Sequence, residues 1–237
     1  MQKLKLFLQR NQFEPGIIGP FINPFYIARK GLLKHIKTLG KNISGKTLDV
    51  GCGTKPYEKY FHSTEYIGLE IETTIHQEDN KADVFYKGGN FPFQNEEFDS
   101  LVTNQVLEHV FEPDLFLSEL RRVLKPGGIL LLTVPFTWDE HEQPYDYARY
   151  SSFGLKHLLE TNGFEIVAHI KSENNIKAIF QLLNAYIYKL SKFNKIIKIV
   201  STLIIMGPLS ILGILLNLVI PSNNDFYLDN IILAKKI

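Results

Sequence analysis

The chain has 237 residues, enough for one large domain or two small ones; 45% are hydrophobic and the formal net charge is +1. That balance excludes a disordered tail, a collagen-like repeat and a strongly basic nucleic-acid binder. A single cysteine excludes a disulfide framework and a zinc cage built from thiolates. Charge is unevenly spread: residues 171–237 hold eight lysines against three acids, whereas the rest of the chain holds 18 basic against 22 acidic side chains. A mildly acidic front and a basic, apolar rear point to two jobs. The opening MQKLKLFLQR has no long apolar core and no small-residue cleavage site, so a cytosolic chain is the expectation.

Residues 1–25 are rich in Pro, Gly and Phe and predict an irregular arm. Ile27, Leu32, Leu33 and Ile36 fall at helical spacing, which predicts a helix over 26–39 with Gly40 as its stop. Strands are predicted over 46–50, 66–71, 83–86 and 98–103. A helix is predicted over 106–124, with Leu107, Val110, Leu117, Leu120 and Leu124 on its buried side. Pro126-Gly127-Gly128 punctuates it before the fully apolar strand 129–134. A helix over 152–162, stopped by Gly163, precedes strands over 165–170 and 226–235. Nearly all-apolar strands alternating with helices predict an α/β fold with a mostly parallel sheet covered on both faces.

Asp49-Val50-Gly51-Cys52-Gly53 stands where a strand ends and a helix would begin. Glycines there let backbone approach a ligand closely, and ligands of such sheets lie beyond the carboxyl ends of the strands. Glu70 ends the next strand 21 residues after Asp49, a spacing that suits a carboxylate accepting from ribose hydroxyls. A tight turn beside a surface Glu is the plainer alternative. Pro56 occupies the sixth position of the Gly-x-Gly-x-x-Gly pattern, which removes the usual seat of a dinucleotide pyrophosphate and favours a smaller nucleoside ligand. The same break weakens a nicotinamide-dependent oxidoreductase reading.

LDVGCGTKPY (48–57), YIGLEI (66–71), ADVFYKGGNFPF (82–93), FDSLVTNQVLEHV (98–110) and RVLKPGGILLLTVPF (122–136) occur in that order. With these stretches the chain resembles the class I S-adenosylmethionine-dependent methyltransferases of the small type 11 kind, over roughly residues 26–170 and a last strand near 226–235. The resemblance implies a Rossmann-like seven-stranded sheet with an antiparallel last strand, and S-adenosyl-L-methionine as cofactor. It implies that Gly51, Cys52 and Gly53 pass under the methionyl part, with Cys52 there for its small size. Asp49 would be oriented toward the cofactor's amino group, Glu70 would hold the ribose, Asp83 would face the adenine amine and Asn104 would sit beside the methionyl end. Lys55 stands where many relatives have a third glycine, and the link from 71 to 83 is too short for a full crossover helix.

Methyl transfer needs alignment and exclusion of water, and a base if the acceptor is a hydroxyl. The stretch 138–150 after the fifth strand is dense in functional side chains: His141 is the candidate base, Arg149 could hold an anionic group, and Trp138 and Tyr145 could stack on or roof an acceptor. An Asp146–Arg149 ion pair that merely orders the loop is the alternative. Glu108-His109 stands where some relatives use a Glu-x-x-Glu-His metal cluster; Gln105 replaces the first Glu, so a structural helix start is preferred and no metal is expected.

The rear carries a stripe of Ile179, Leu182, Leu183, Tyr186, Ile187, Leu190, Phe193 and Ile197, with Lys177, Gln181, Asn184, Lys192 and Lys195 largely opposite. A Lys-rich amphipathic helix is the mark of a membrane-surface anchor. The uncharged stretch Ile199–Ile220 is 22 residues, long enough to span a bilayer, which takes roughly 20. Both flanking strands belong to one sheet, so a single crossing is impossible and a monotopic or re-entrant hairpin is expected, a helical cap or dimer interface being the alternative. The expected organisation is an arm and helix (1–45), a methyltransferase domain (46–175 with 223–237) and an apolar, basic helical insertion (176–222). The function expected is methyl transfer to a small, amphiphilic or lipid-linked acceptor on the inner face of a membrane, with no nucleic-acid partner. A non-catalytic cofactor-binding module with a dimerising insertion is the competing reading.

Overall fold

Strands of this chain are short apolar runs bounded by glycines and polar turns, and the helices between them carry one apolar stripe. In the computed structural model, which describes residues 2–72 and 81–237, these runs form β1 (Ser44–Val50), β2 (His62–Ile71), β3 (Val84–Tyr86), β4 (Phe98–Asn104), β5 (Leu124–Pro135), β6 (Phe164–Ser172) and β7 (Asp229–Lys236). They lie in one seven-stranded sheet in the order β3-β2-β1-β4-β5-β7-β6. The pairs β1–β2, β1–β4, β2–β3 and β4–β5 are parallel, and β7 runs antiparallel, as expected. The chain reverses its direction of travel across the sheet between β1 and β4, so the crevice beyond their carboxyl ends is the ligand position the topology provides.

Leu48, Leu101, Leu130 and Leu132 on the strands share one buried cluster with Leu117 and Leu120 of α4 (Pro113–Val123) and with Leu155 and Leu159 of α5 (Ser152–Thr161). The helix predicted over 106–124 begins later because Pro113 has no N–H to give to a helix interior and takes the first-turn position instead. Leu107–His109 before it makes only a 3-10 turn. Nor does Pro126-Gly127-Gly128 precede the fifth strand: β5 starts at Leu124 and carries these residues in an irregularity, opposite β4 between Phe98 and Ser100, with Gly127 at φ 73°. Ser151 caps α5 by accepting from the Gly154 N–H.

The composition of the arm predicts an irregular segment over 1–25, but the arm is largely helical. Its Pro and Gly cluster begins only at Pro15, and the preceding residues form α1 (Gln2–Phe13); a single turn, α2 (Gly19–Ile22), follows, then α3 (Tyr26–Leu39). The expectation for the link between 71 and 83 falls largely outside the described residues.

Contacts divide the chain into two units. One comprises 35–136, 140–170 and 230–237 and holds most of the sheet. The other comprises 1–34, 137–139 and 171–229, including α6 (Ile176–Ser191), α7 (Lys195–Ser201), a π-helical turn (Thr202–Met206) and α8 (Gly207–Leu216). Along α6 to α8 of this unit polarity is inverted. Gln181, Asn184 and Ser210 are buried, whereas Ile179, Leu183, Tyr186, Leu190, Leu203, Ile204, Leu212 and Leu215 are exposed. Asn184 Nδ2 donates to Ser210 Oγ at 2.8 Å, and Gln181 Nε2 donates to the Pro24 carbonyl at 3.1 Å. Gly213 lies where a Cβ would meet Phe180 at 2.9 Å, so the absent side chain lets α8 approach α6.

Candidate active site

At the switch point, β1 ends in Gly51 (φ 72°) and Gly53 (φ 49°), a left-handed path that side chains disfavour. A Cβ on Gly51 would sit 2.4 Å from Val106 of the loop after β4, so glycine is what lets these two turns close together. A Cβ on Gly53 would meet nothing within 4 Å, which leaves an open cradle of backbone. Cys52 is buried between them, and burial pushes its thiol up to about 12, the property of an inert packing residue.

Side chains alternate across a strand, so Tyr66, Gly68 and Glu70 of β2 share one face. Glu70 accepts the Gly53 N–H at 3.0 Å on Oε2, which fixes the acid to the glycine turn. Asp49 lies beneath the turn, 3% exposed, and accepts from the Tyr66 hydroxyl at 2.7 Å. Burial raises its carboxyl to about 7; the Tyr66 hydroxyl opposes that rise and the neighbouring Glu70 adds to it. Tyr66 lies outside the residues the motifs single out, although its period-2 spacing from Glu70 places the two on one strand face.

Lys55 adopts φ 53°, the conformation for which a third glycine is suited. Its side chain folds inward over Gly68, where a Cβ would lie 2.4 Å from Lys55 Cε, and its ammonium pairs with the Asp83 carboxylate. Asp83 also accepts the Gly68 N–H at 2.7 Å. Partial burial pushes Asp83 up, but the Gly68 N–H and Lys55 outweigh it and hold the group below the usual range. Asn104 ends β4 with its Oδ1 3.4 Å from the Thr133 hydroxyl. Three carboxylates and an open glycine turn at one sheet edge fit a nucleoside ligand that carries a cationic amino-acid end.

Beyond β4 and β5 a second constellation forms within the same unit. The backbone carbonyl of Glu108 accepts the N–H groups of Tyr147 and Ala148 at 2.8 and 3.2 Å, which ties the loop after β5 to the Leu107–His109 turn. His109 and His141 meet edge to face with ring centroids 4.8 Å apart. Asp146 accepts from Arg149 at 2.6 and 2.7 Å on its two oxygens and from the His141 backbone N–H at 2.8 Å. Burial raises the Asp146 carboxyl, but the Arg149 fork and the His141 contacts prevail and hold it at about 2. His141, Tyr145 and Arg149 thus share one loop around Glu108. Trp138 belongs to the other unit, where its ring stacks at a tilt 5.9 Å from Phe25 and the adjacent Asp139 pairs with Lys189 at 2.9 Å. Glu108, fully buried, figures in the sequence only within a metal cluster that the missing first Glu disfavours, and Asp146 only in a loop-ordering ion pair, because their partners are distant in the chain or lie in a loop.

Residues 48–132 match a family model described as a methyltransferase domain. The chain is 33% identical over 111 residues to a probable S-adenosylmethionine-dependent methyltransferase of Mycolicibacterium smegmatis, covering 42% of this chain and 43% of that one. It is 32% identical over 114 residues to a fatty-acid O-methyltransferase of the same organism, covering 43% of this chain and 41% of that one. Among solved structures it resembles phosphoethanolamine N-methyltransferase 2 of Haemonchus contortus in complex with S-adenosyl-L-methionine, with a TM-score of 0.55 and 20% identity over 95% of this chain and 58% of that one. The chain spans half or less of the length of the curated relatives it matches.

Proposed function

We propose, on the premise that residues 48–132 are a class I S-adenosylmethionine-dependent methyltransferase domain, that the chain methylates a small amphiphilic or lipid-linked acceptor at the cytoplasmic face of a membrane. The observation that carries the acceptor class is the inverted polarity of α6 to α8: Gln181, Asn184 and Ser210 inside, Ile179, Leu183, Leu190 and Leu215 outside. In water that arrangement is unfavourable, whereas in lipid small residues and interhelical polar pairs form the natural interior. Among the described residues one helix, Lys195–Leu216, is long and apolar enough to cross a bilayer. The chain leaves the sheet at β6 and returns to it at the neighbouring β7, which supports a segment that enters and leaves on the same side. A cavity of about 580 Å³ in that unit, bordered by Leu8, Phe21, Phe25, Tyr188, Ile199 and Leu203, offers room for an apolar tail. The likeness to a fatty-acid O-methyltransferase supports the same class. Incubation with methyl-labelled cofactor and a membrane lipid extract tests the reading: label enters an extractable lipid, and label confined to water-soluble products overturns it.

Bound S-adenosylmethionine supplies a methyl already activated on a cationic sulfonium. The protein's share is alignment, exclusion of water and disposal of the acceptor proton. Gly51, Cys52 and Gly53 present backbone to the ligand. Glu70 keeps lone pairs beyond those accepting Gly53 N–H and Ile71 N–H, and these receive the ribose hydroxyls. Asp83 takes the adenine amine while Lys55 holds it, and Asn104 borders the methionyl end. His141 receives the acceptor proton; Asp146 and Arg149 act as positioning residues, and Tyr145, half exposed, covers the acceptor.

Two expected results follow for the cofactor. Glu70→Ala weakens its binding by about 1.5–3 kcal/mol, the range for hydrogen bonds to a charged group, and calorimetry with wild-type affinity would remove Glu70 from the site. Asp49, at about 7 in the free protein, must ionise to favour a cationic ligand. Affinity is therefore greatest above pH 7 and falls toward tenfold per unit on acidification below it, with protons released on binding. Asp49→Asn flattens that profile; calorimetry in two buffers of different ionisation enthalpy counts the protons, and a flat profile in the unsubstituted protein dismisses the assignment.

A further inference from the structure

We propose that Glu108, His109 and His141 form a binding site for a divalent transition-metal ion. Their ligand atoms all lie within 4.8 Å of one another. The Nε2 atoms of both histidines face the same oxygen, Glu108 Oε1, at 3.8 Å from His109 and 3.9 Å from His141. Those separations are too long for hydrogen bonds and suit two bonds of about 2.0–2.2 Å each to one shared ion. Glu142 stands at the rim, its Oε2 3.8 Å from His109 Nε2, as a fourth oxygen donor.

The opposite nitrogens are held in the way metal-binding imidazoles are held. His109 Nδ1 lies 2.8 Å from the Tyr145 carbonyl, which can only accept, so Nδ1 carries the hydrogen and Nε2 the lone pair. His141 Nδ1 lies 3.2 Å from Asp146 Oδ2, to which it can donate, and 3.4 Å from Arg149 Nη2, from which it can accept; in the tautomer that donates to Asp146, Nε2 carries the lone pair. Two rings from separate segments therefore aim lone pairs at one fully buried carboxylate. Positive charge at that point offsets the cost of burying Glu108. Gln105 takes no part: its side chain turns to the Thr133 hydroxyl at 3.2 Å, and the third ligand comes instead from His141, beyond β5. Two imidazoles with one carboxylate favour Zn²⁺ or a neighbouring transition ion over Mg²⁺ and Ca²⁺, which prefer all-oxygen shells.

The ion's use rests on the methyl-transfer reading: seated there, it would acidify an acceptor hydroxyl whose proton passes to solvent water, with His141 serving as its ligand instead of taking the proton itself. Binding does not rest on that reading and is measured without acceptor. Tag-free, chelator-stripped protein titrated with Zn²⁺ alone should bind one ion per chain, at least 100-fold more tightly than Mg²⁺. His109→Ala, His141→Ala and Glu108→Gln should each weaken Zn²⁺ by 100-fold or more, and Asp146→Asn by about 10–100-fold, while cofactor affinity stays at wild-type level and certifies the fold. Substoichiometric Zn²⁺, no preference over Mg²⁺, or variants that bind like the parent protein overturn the site. Stoichiometric Zn²⁺ without any methyl transfer would leave the site standing and defeat only the reading of function.

Discussion

His141→Ala lowers the maximal rate of methyl transfer by about 100-fold or more with cofactor affinity unchanged, the range general acid–base groups contribute. The groups assigned to the cofactor stand at the ends of β1, β2 and β4, in the turn after β1 and just before β3, whereas His141 stands on the loop after β5, so the substitution touches acceptor chemistry alone. Its side chain is partly exposed, which keeps the loss of packing small. Asp146→Asn and Arg149→Met act one step removed. They release the Nδ1 side of the ring without removing it, so they reduce the rate less than His141→Ala and leave the KM for cofactor alone. The two uses of Nε2 part under chelation: a proton-accepting His141 keeps its rate when the protein is stripped of metal, and an ion-holding one loses it and regains it with Zn²⁺. A His141→Ala enzyme that turns over the true acceptor at the parent rate reduces His141 to a loop residue.

Much of this site was legible in one dimension because its parts are strand ends. Val50, Glu70 and Asn104 each close an apolar run, and a parallel sheet brings such ends to one edge whatever lies between them. The seven strands were readable for the same reason, since buried strands need nearly unbroken apolar runs. What failed was whatever depended on a loop's path or on the choice between two helix faces. Glu108 and His109 find His141 only through the fold of the segment after β5, and no spacing encodes that. Trp138, three residues before His141, falls into the other unit. In α6 the helical period separated Gln181 and Asn184 from Ile179 and Leu183 correctly, but periodicity fixes only that two faces exist. The expectation that polar residues face water follows for a helix surrounded by water, and here the small residues Ala178 and Ala185 lie on the buried side with the amides. In the arm, the composition of 15–25 was spread over residues that contain no helix breaker.

Phe193→Ser combined with Ile196→Ser abolishes binding to anionic liposomes without disturbing the fold. Both side chains are at least 72% exposed at the junction of α6 and α7, so neither supports the protein's own core. Burying an apolar side chain of this size is worth roughly 1.5–3 kcal/mol, and the pair together accounts for about 100-fold or more in partitioning. The flanking charges add a second, separable force. Lys192 and Lys195 are exposed beside this junction, and each contributes about 1 kcal/mol near an anionic surface. Neutralising both as Gln therefore costs about 30-fold at low salt and much less at high salt, where the attraction is screened. Lys177 contributes little, because it pairs with Glu173 at 2.7 Å. A soluble cap or dimer interface gives another pattern: the Phe193/Ile196 variant turns from dimer to monomer in sedimentation, and the lysine variant shows no dependence on lipid charge. Cofactor affinity, carried by β1, β2 and β4, serves as the control in every arm. Unsubstituted protein that remains in the supernatant with both anionic and neutral liposomes removes the membrane from the proposed function and leaves the exposed apolar face to a second copy of the chain.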